Sequence, residues 1–484
     1  MAKARVTYLS EGEKAFIHAK TMQVLAEVGV AYNTPLAVDL LAAAGAEVDR
    51  ERLTARFGWG LVERCLATVP KEVLLAGRDP SWDRVLGRDP LVVTSDGMAT
   101  HVLDDLTGEK REGTLADLAR FTRLVDALDE IDVHWPSPHP SDVEPDMAPL
   151  AMQATCLRNT GKHIQDEIRE PELVEPVLAM YEAASGATLQ ERPVFSVTNC
   201  TIAPLQHDRA MTEASLKLTK RGVPIFILPM PQAGTTGPMT LLGTCIVHLA
   251  ELLSAVVLFQ LSAPGCPVIA GVGSAVADMR SGGYLSASPE IGIINMICLQ
   301  MSRFYGLLTQ ATGVSADSST ADFQAGSEGG MTGLCAALVG ADSLIAAGGL
   351  EAVQTTSLAK MVLDADQVGA LRRYIRESSI DEDAAVMDDI RAVGIGGHYL
   401  GRRSTRAHAR TEVWRPALFA RGGDGGAPSP PAQGGAGEAP SPPLIERAVT
   451  YADELLATHE VAPLSDDAER EIEAILAAHA ARRA

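Results

Sequence analysis

Asp317, Asp322, Phe323, Gln324 and Glu328 lie close together in GVSADSSTADFQAGSEGG (Gly313–Gly330), directly after the strand-like run Leu307–Thr312. Carboxylates beside an aromatic face are what a quaternary or protonated amine needs, because charge pairing then adds to cation–π attraction. A plainer role stays open: Asp322 or Glu328 could cap a helix that begins near Gly326. At the next strand end, Gly348-Gly349 permits close backbone approach to a ligand. Glu351, Gln354, Thr355 and Thr356 follow, placing a carboxylate, an amide and two hydroxyls together. A helix start that needs polar caps reads equally well from that pattern. Tyr284, in the Gly-rich loop MRSGGYLSASPE, offers an aromatic wall.

Further candidates stand earlier in the chain. His134 and Trp135 are adjacent in one candidate strand, so alternation sends them to opposite faces and only one can line a barrel mouth. Gln165, with Asp166 and Glu167, sits in the next strand, and Asn199 ends a third. Polar groups in apolar strands are costly unless paired. They therefore face either a site or the salt bridges of neighbouring loops. Several familiar chemistries are disfavoured. Gly271-Val272-Gly273 lacks the third glycine of a dinucleotide fingerprint, and there is no phosphate-loop lysine motif, no His-Glu-x-x-His and no Gly-x-Ser-x-Gly. The seven cysteines form no Cys-x-x-Cys pair, which indicates neither a zinc knuckle nor a disulfide scaffold. No tightly bound metal is expected.

The elements that must hold these residues repeat in a β/α rhythm. Candidate strands are 132–137, 163–168, 194–199, 224–229, 268–272, 307–312 and 343–347, with helical segments between them. An eighth falls near 353–356 or 393–395. Seven or eight parallel strands point to a TIM (β/α)8 barrel, whose chemistry sits in the loops that follow the strands. Before the barrel, residues 1–130 read as a helical region, with helices starting at the capping box Ser10–Glu13, at Thr34-Pro35 and at Arg52, and with a small β-appendage from 83 to 105. The barrel is expected over 131–421. Gly/Pro/Ser-rich residues 422–443 cannot bury a core and read as a flexible linker. Two amphipathic helices over 444–484 then pack on this barrel or on a neighbouring subunit, so a homo-oligomer is expected.

With 484 residues, 46 % of them hydrophobic, the chain has ample material for a large core. A net charge of -21 disfavours unspecific binding to nucleic acid or to an anionic membrane. It gives solubility and could attract a cationic substrate. The most apolar stretch, 235–261, is interrupted by Thr244, His248, Glu251 and Ser254, which suits a buried barrel helix better than a membrane span. The N-terminus has no apolar signal core and the cysteines suit a reducing compartment, so a cytoplasmic protein is expected.

Four segments together resemble the trimethylamine methyltransferase family, corrinoid-dependent methyltransferases that act on methylated amines. They are LDDLTGEKREGTLADLARFTRLVDALDEID (Leu103–Asp132), ADFQAGSEGG (Ala321–Gly330), GADSLIAAGGLEAVQTTSLAKMVLDAD (Gly340–Asp366) and VGIGGHYLGRRSTRAHARTEVWRPALF (Val393–Phe419). The likeness runs through most of the chain; the insertion at 422–443 is the main departure in length. It implies a TIM barrel that moves a methyl group from a substrate nitrogen to Co(I) of a corrinoid (cobalamin) carried by a separate protein. Founding members carry pyrrolysine just after a Gly-x-Leu-Glu turn, where this chain has Gln354 or an immediate neighbour. The resemblance therefore implies a non-pyrrolysine member acting on a quaternary amine such as glycine betaine, proline betaine or carnitine. Such a nitrogen is already a leaving group and needs no activating adduct. The expected roles follow: Asp317 and Glu328 at the ammonium, Phe323 and Tyr284 as walls, and Asn199, His134 and Gln354 at the polar end, with Gln165 and Glu351 also in contact with substrate. Competing readings are a barrel that passes methyl groups to or from a tetrahydropterin, a non-catalytic betaine binder and, more distantly, an oxidoreductase.

Overall fold

The computed structural model describes residues 5–377, 386–420 and 442–483. Eight parallel strands close into a barrel in chain order: β1 (Val92–Ser95), β2 (Val133–His134), β3 (His163–Asp166), β4 (Phe195–Ile202), β5 (Ile225–Leu228), β6 (Val268–Val272), β7 (Leu308–Thr312) and β8 (Ser343–Ala347). Each pairs with the next, and β8 returns to β1 through Ser343–Val92 and Leu344–Val93. One helix follows each strand: α1 (Leu115–Ala127), α2 (Ala148–Asn159), α3 (Val174–Ser185), α4 (Arg209–Thr219), α5 (Leu241–Ser262), α6 (Pro289–Phe304), α7 (Phe323–Val339) and α8 (Leu358–Ile375). The seven strands expected from periodicity are present. The remaining one is at neither 353–356 nor 393–395. It is β1, inside the stretch read as an appendage, so the barrel begins well before residue 131. Its partner helix is set apart from it by a hairpin, His101–Leu103 with Lys110–Glu112, and that insertion breaks the β/α rhythm.

The appendage is thus three structures. Arg84–Leu86 pairs with Val73–Leu75, and these residues form an apolar cluster with barrel-interior Val92, Val133, Phe226, Ile269 and Leu308. They plug the end where the strands begin. Val92–Ser95 is a staple of the barrel wall. The hairpin at 101–112 joins Thr355–Thr356 and Gly349–Leu350 in a small sheet at the opposite end.

The N-terminal helices Glu11–Gln23, Pro35–Ala43 and Trp59–Leu66 pack on α5. The third starts later than expected because Thr54–Arg56 forms a strand. This layer explains why α5 is apolar around most of its circumference. It is the one described helix long and apolar enough to cross a membrane, and it is largely buried between the barrel and the N-terminal layer. The C-terminal helices Leu444–Thr458 and Asp466–Arg483 pack on this same barrel, the first on α1 and α8, the second on α2 and α3. Ile472 is fully buried, Arg158 binds Glu469 and Glu473, and Asp366 accepts bonds from the Ala417, Leu418 and Phe419 amides. Of the expected linker, only Pro442 and Pro443 are described.

Candidate active site

A cavity opens at the end of the barrel where the strands terminate. It has two lobes, of about 340 Å³ and 400 Å³, which share Gly97, Met98 and Trp135. The floor of the first lobe is Trp135, Leu228 and Ile345, with Cys200 and Met230 beside them. Trp135 can lie across the end of β1 only because residue 97 is glycine: a Cβ there would stand 1.9 Å from the indole. The pairing of β5 and β6 explains the Gly-Val-Gly run in the same terms. A Cβ on Gly271 would meet the Ile227 carbonyl oxygen at 2.8 Å, so this glycine permits strand contact.

Asp96, the residue after β1, is the most informative group in the cavity wall. It is 1 % exposed, its Oδ1 accepts from the Met98 amide at 3.2 Å, and its Oδ2 has no hydrogen-bond partner. Burial pushes its pKa up from 3.8 to about 7, against the opposing pull of the Met98 and Gly97 amides and of Lys360. Gly349 keeps the space open, since a Cβ there would sit 3.1 Å from the carboxyl carbon. A carboxylate that reaches a largely apolar cavity without a cation in contact is costly when ionised. It is well placed to receive a positive ligand.

Two expected residues reach the same lobe. Tyr284 lines it, with its hydroxyl donating to the Gly273 carbonyl at 3.2 Å, and burial raises its pKa. Gln354 lines it from the loop after β8. That loop is unusual. Glu351, Ala352 and Val353 have φ values of +52°, +54° and +64°, a left-handed turn built without glycine, and such residues persist only where their surroundings hold them. Here the Glu351 and Ala352 amides bond to the carbonyls of Ser318 and Ala316, both at 2.9 Å. The Glu351 carboxylate bonds to Lys110 Nζ and Thr355 Oγ1, each at 2.5 Å. Glu351 therefore fixes the turn, and Ala352, Val353 and Gln354 present it to the cavity.

The other expected residues lie elsewhere. His134, not Trp135, is the member of its pair that points away from the mouth. Its ring contacts Ser95 Oγ on β1 and, among the helices, Thr122 Oγ1 and Cys156 Sγ, and burial holds it neutral with a pKa of about 3. Asn199 points to α4 and donates to Ser215 Oγ at 2.9 Å. Gln165 is inside the barrel, below the cavity, bonded to Thr198 and Gln310. Phe323 is 91 % exposed on the outside, at the first turn of α7, so it is not a wall of this cavity. Asp322 is the N-cap of that helix, bonded to the Ala325 amide at 3.0 Å. Asp317 accepts from the Ser286 amide and hydroxyl and from the Ala287 amide, while Glu328 accepts from the Asp317 and Ser318 amides and from Gln324. Both carboxylates are spent on shaping loops, and neither lines the cavity. They act on it indirectly, because Ser286 is in the wall.

The second lobe is more polar. Asp166, with a pKa raised to about 7 by burial, accepts from Gln153, which in turn accepts from Tyr181. Glu167 pairs with Arg169 at 2.7 Å and accepts from Cys200 Sγ at 3.4 Å. Burial lifts the Cys200 thiol well above its ordinary pKa, which leaves it a neutral wall and not a thiolate nucleophile. Of the residues that line the first lobe, pattern reading left Trp135 as one of two alternatives with His134 and missed Asp96. The signal for Asp96 was a lone carboxylate ending the run LVVTS, and it carries weight only once that run is seen as a barrel strand.

The family model for "Trimethylamine methyltransferase (MTTB)" matches residues 2–483. The chain belongs to this family. It is a methyltransferase. A trimethylamine methyltransferase of Desulfitobacterium hafniense (strain DSM 10664 / DCB-2) is 32 % identical over 405 residues, covering 83 % of this chain and 82 % of the relative. A glycine betaine methyltransferase of Desulfitobacterium hafniense (strain Y51) is 31 % identical over 419 residues, covering 85 % and 86 %. Among solved structures, the Methanosarcina barkeri monomethylamine methyltransferase superposes with a TM-score of 0.50 over 98 % of this chain and 88 % of that one, at 10 % identity. That likeness bears on the fold, and it agrees with the closed barrel described above.

Proposed function

We propose that this methyltransferase takes a methyl group from a small quaternary amine of the glycine betaine kind and passes it to Co(I) of a corrinoid held by a separate protein. The observation that carries this reading is Asp96: a buried carboxyl with an unpartnered oxygen, facing a cavity walled by Trp135, Tyr284, Leu228 and Ile345. A quaternary ammonium has no N–H to donate. It is held by charge and by aromatic and apolar surface, and those are what the lobe offers. Ionised Asp96 attracts the cation, the indole and phenol rings pack on its methyl groups, and Gln354, Gln232 and Ser286 supply polar contacts to the rest of the molecule. The founding members' pyrrolysine position falls at or beside Gln354, so the amine must leave without an adduct, as a positively charged nitrogen can.

The corrinoid supplies the nucleophile for the methyl carbon. The rim suits such an acceptor arriving from outside, because Met98, Met239 and Met279 are exposed on the loops that form the cavity. The chain's own work is to exclude water, orient one N–CH₃ bond toward the mouth and manage charge as the ammonium becomes a neutral amine. No proton has to move. The cytoplasm, where thiols stay reduced and a Co(I) acceptor can persist, is the compartment this reading requires. A screen of methylated amines with Co(I) cobalamin, followed by methyl–cobalt absorbance, tests it. Turnover with a quaternary amine and not with trimethylamine is the expected outcome; no turnover with any quaternary amine removes the proposal.

A further inference from the structure

A second cavity lies at the opposite end of the barrel, where the strands begin. It holds about 850 Å³, and its wall includes Leu91 just before β1, Asp342 just before β8 and the last turns of α6, α7 and α8. No residue of the two lobes at the barrel mouth takes part in it. Residues 411–415 close one side. The Arg373 and Arg376 side chains donate to the carbonyls of Glu412 and Thr411, both at 2.6 Å. Trp414 lies so close to Gly369 of α8 that a Cβ there would stand 2.8 Å from the indole nitrogen. This wall is therefore fixed to the barrel, with Arg410 and Arg415 at the two ends of the anchored stretch.

Arginine dominates the lining. Arg88, Arg303 and Arg372 are paired with Asp89, Asp342 and Asp132, and Arg373 and Arg376 share Glu412. Arg5, Arg410 and Arg415 line the same cavity and have no ion pair among the described residues. Like charges gathered on one concave wall repel one another and raise the local concentration of anions. The Arg303 Nε–H is buried in that wall without a hydrogen-bond partner among the described residues, a cost that an acceptor relieves. Neighbouring sequence does not outweigh the arginines. Residues 378–385 bring Asp381, Glu382 and Asp383, and residues 1–4 bring Lys3. With these and Glu377 included, nine cations stand against eight carboxylates, in a chain whose total is -21. A guanidinium presents two parallel N–H donors, the geometry of a phosphate edge. A single phosphate fills a small part of 850 Å³, whereas a chain of two or three phosphoryl groups offers a separate edge to each unpaired arginine.

We propose that this cavity binds an oligophosphate, free or carried by a nucleotide. Isothermal calorimetry of the full chain with tripolyphosphate tests it, at about 0.15 M salt, where exposed charges more than ~8 Å apart are screened. One-to-one binding is expected, at least about tenfold tighter than that of orthophosphate. Arg410→Gln/Arg415→Gln is expected to weaken it at least about tenfold. The ligand-free Tm of that variant stays unchanged, because neither side chain has an ion pair to lose among the described residues. Arg50→Gln/Arg52→Gln, which removes equal charge from the N-terminal layer, leaves the affinity unchanged. ATP separates the two sources of the phosphates. Binding about tenfold tighter than that of tripolyphosphate makes a base part of the ligand, with Trp414 as its surface, and equal affinity assigns the site to the phosphate chain alone. Equal loss in both double variants, or a polyglutamate peptide that binds as tightly as tripolyphosphate, overturns the proposal. So does a wild type that binds no oligophosphate, and if Asp381→Asn/Glu382→Gln/Asp383→Asn then binds it, the chain's own carboxylates claim these arginines.

Discussion

Replacing Asp96 with asparagine separates its two effects, which have opposite signs. In the empty site the carboxyl has its pKa raised from 3.8 to about 7 by burial. A group raised in this way favours folding while it keeps its proton, and that contribution is lost as pH rises from 3.8 through 7. At pH 8 the wild type then bears roughly 4 kcal/mol of unfavourable ionisation. Asp96→Asn relieves it, so the substrate-free variant should unfold at a higher temperature than the wild type at pH 8, with the gap closing toward pH 4. Substrate binding should move the other way. A cation about 4 Å from the carboxylate gains about 4 kcal/mol at an effective dielectric of 20. Even with part of this recovered by the amide dipole, KM for the ammonium substrate should rise at least ~100-fold, each tenfold being worth about 1.4 kcal/mol. The pH profile isolates the charge. Because a group with a pKa near 7 is about one-tenth ionised at pH 6, wild-type kcat/KM should be about tenfold lower at pH 6 than at pH 8, and the variant's profile should be flat across that window. Thermal melts without substrate, together with methyl–cobalt absorbance at pH 6, 7 and 8, give all three readouts. A variant with kcat/KM within twofold of the wild type at pH 8, or one that keeps the acid limb, would falsify the assignment of Asp96 to the ammonium.

Trp135→Ala removes the wall shared by the two lobes and should raise KM about tenfold through lost cation–π and apolar contact, while Trp135→Phe should retain much of the binding; steady-state kinetics with the preferred amine decide. Glu328→Gln should leave KM within about threefold and lower the unfolding free energy by about 1–2 kcal/mol, because the carboxylate bonds the Asp317 and Ser318 amides and does not line the cavity; a hundredfold loss of activity in a protein of unchanged stability would restore it to the site. Lys162→Met should destabilise by about 3–5 kcal/mol at pH 7, as judged by denaturant unfolding. Its buried ammonium donates to the carbonyls of Val125, Leu128 and Ile131 at the end of α1, and no apolar side chain can satisfy them. An unchanged midpoint would show those carbonyls to be hydrated instead.

How much of this was legible in the sequence depended on whether a feature was local. Strands such as Val268–Val272 and Ser343–Ala347 and the capping box at Ser10 follow from residues a few positions apart, and each occurs as read; of the alternatives left open for Asp322 it is the helix cap that occurs, on a helix that starts at Phe323, earlier than Gly326. The barrel likewise followed from the strand rhythm, and the family from four segments in order. β1 did not, because a hairpin stands where its helix was due. The site was harder. In Asp317 and Glu328, acidity beside a strand end looked like substrate contact, yet backbone amides within hydrogen-bond reach had first claim on both carboxylates. In His134 and Trp135, alternation predicted opposite faces but could not say which face was the mouth.

By itself, then, the sequence determined the repeating β/α order, the apolar supply for a closed barrel and the family to which the chain belongs. Only the tertiary structure decided which buried carboxyl, among the described residues, keeps an oxygen without a hydrogen-bond partner. Asp96 is one acidic residue among 62 Asp and Glu. It differs from the rest through burial by Trp135, Gly349 and the loop after β8, groups that are distant along the chain and adjacent only once the barrel has closed. An unpaired charge is a property of surroundings, and the surroundings of Asp96 exist only in the folded protein.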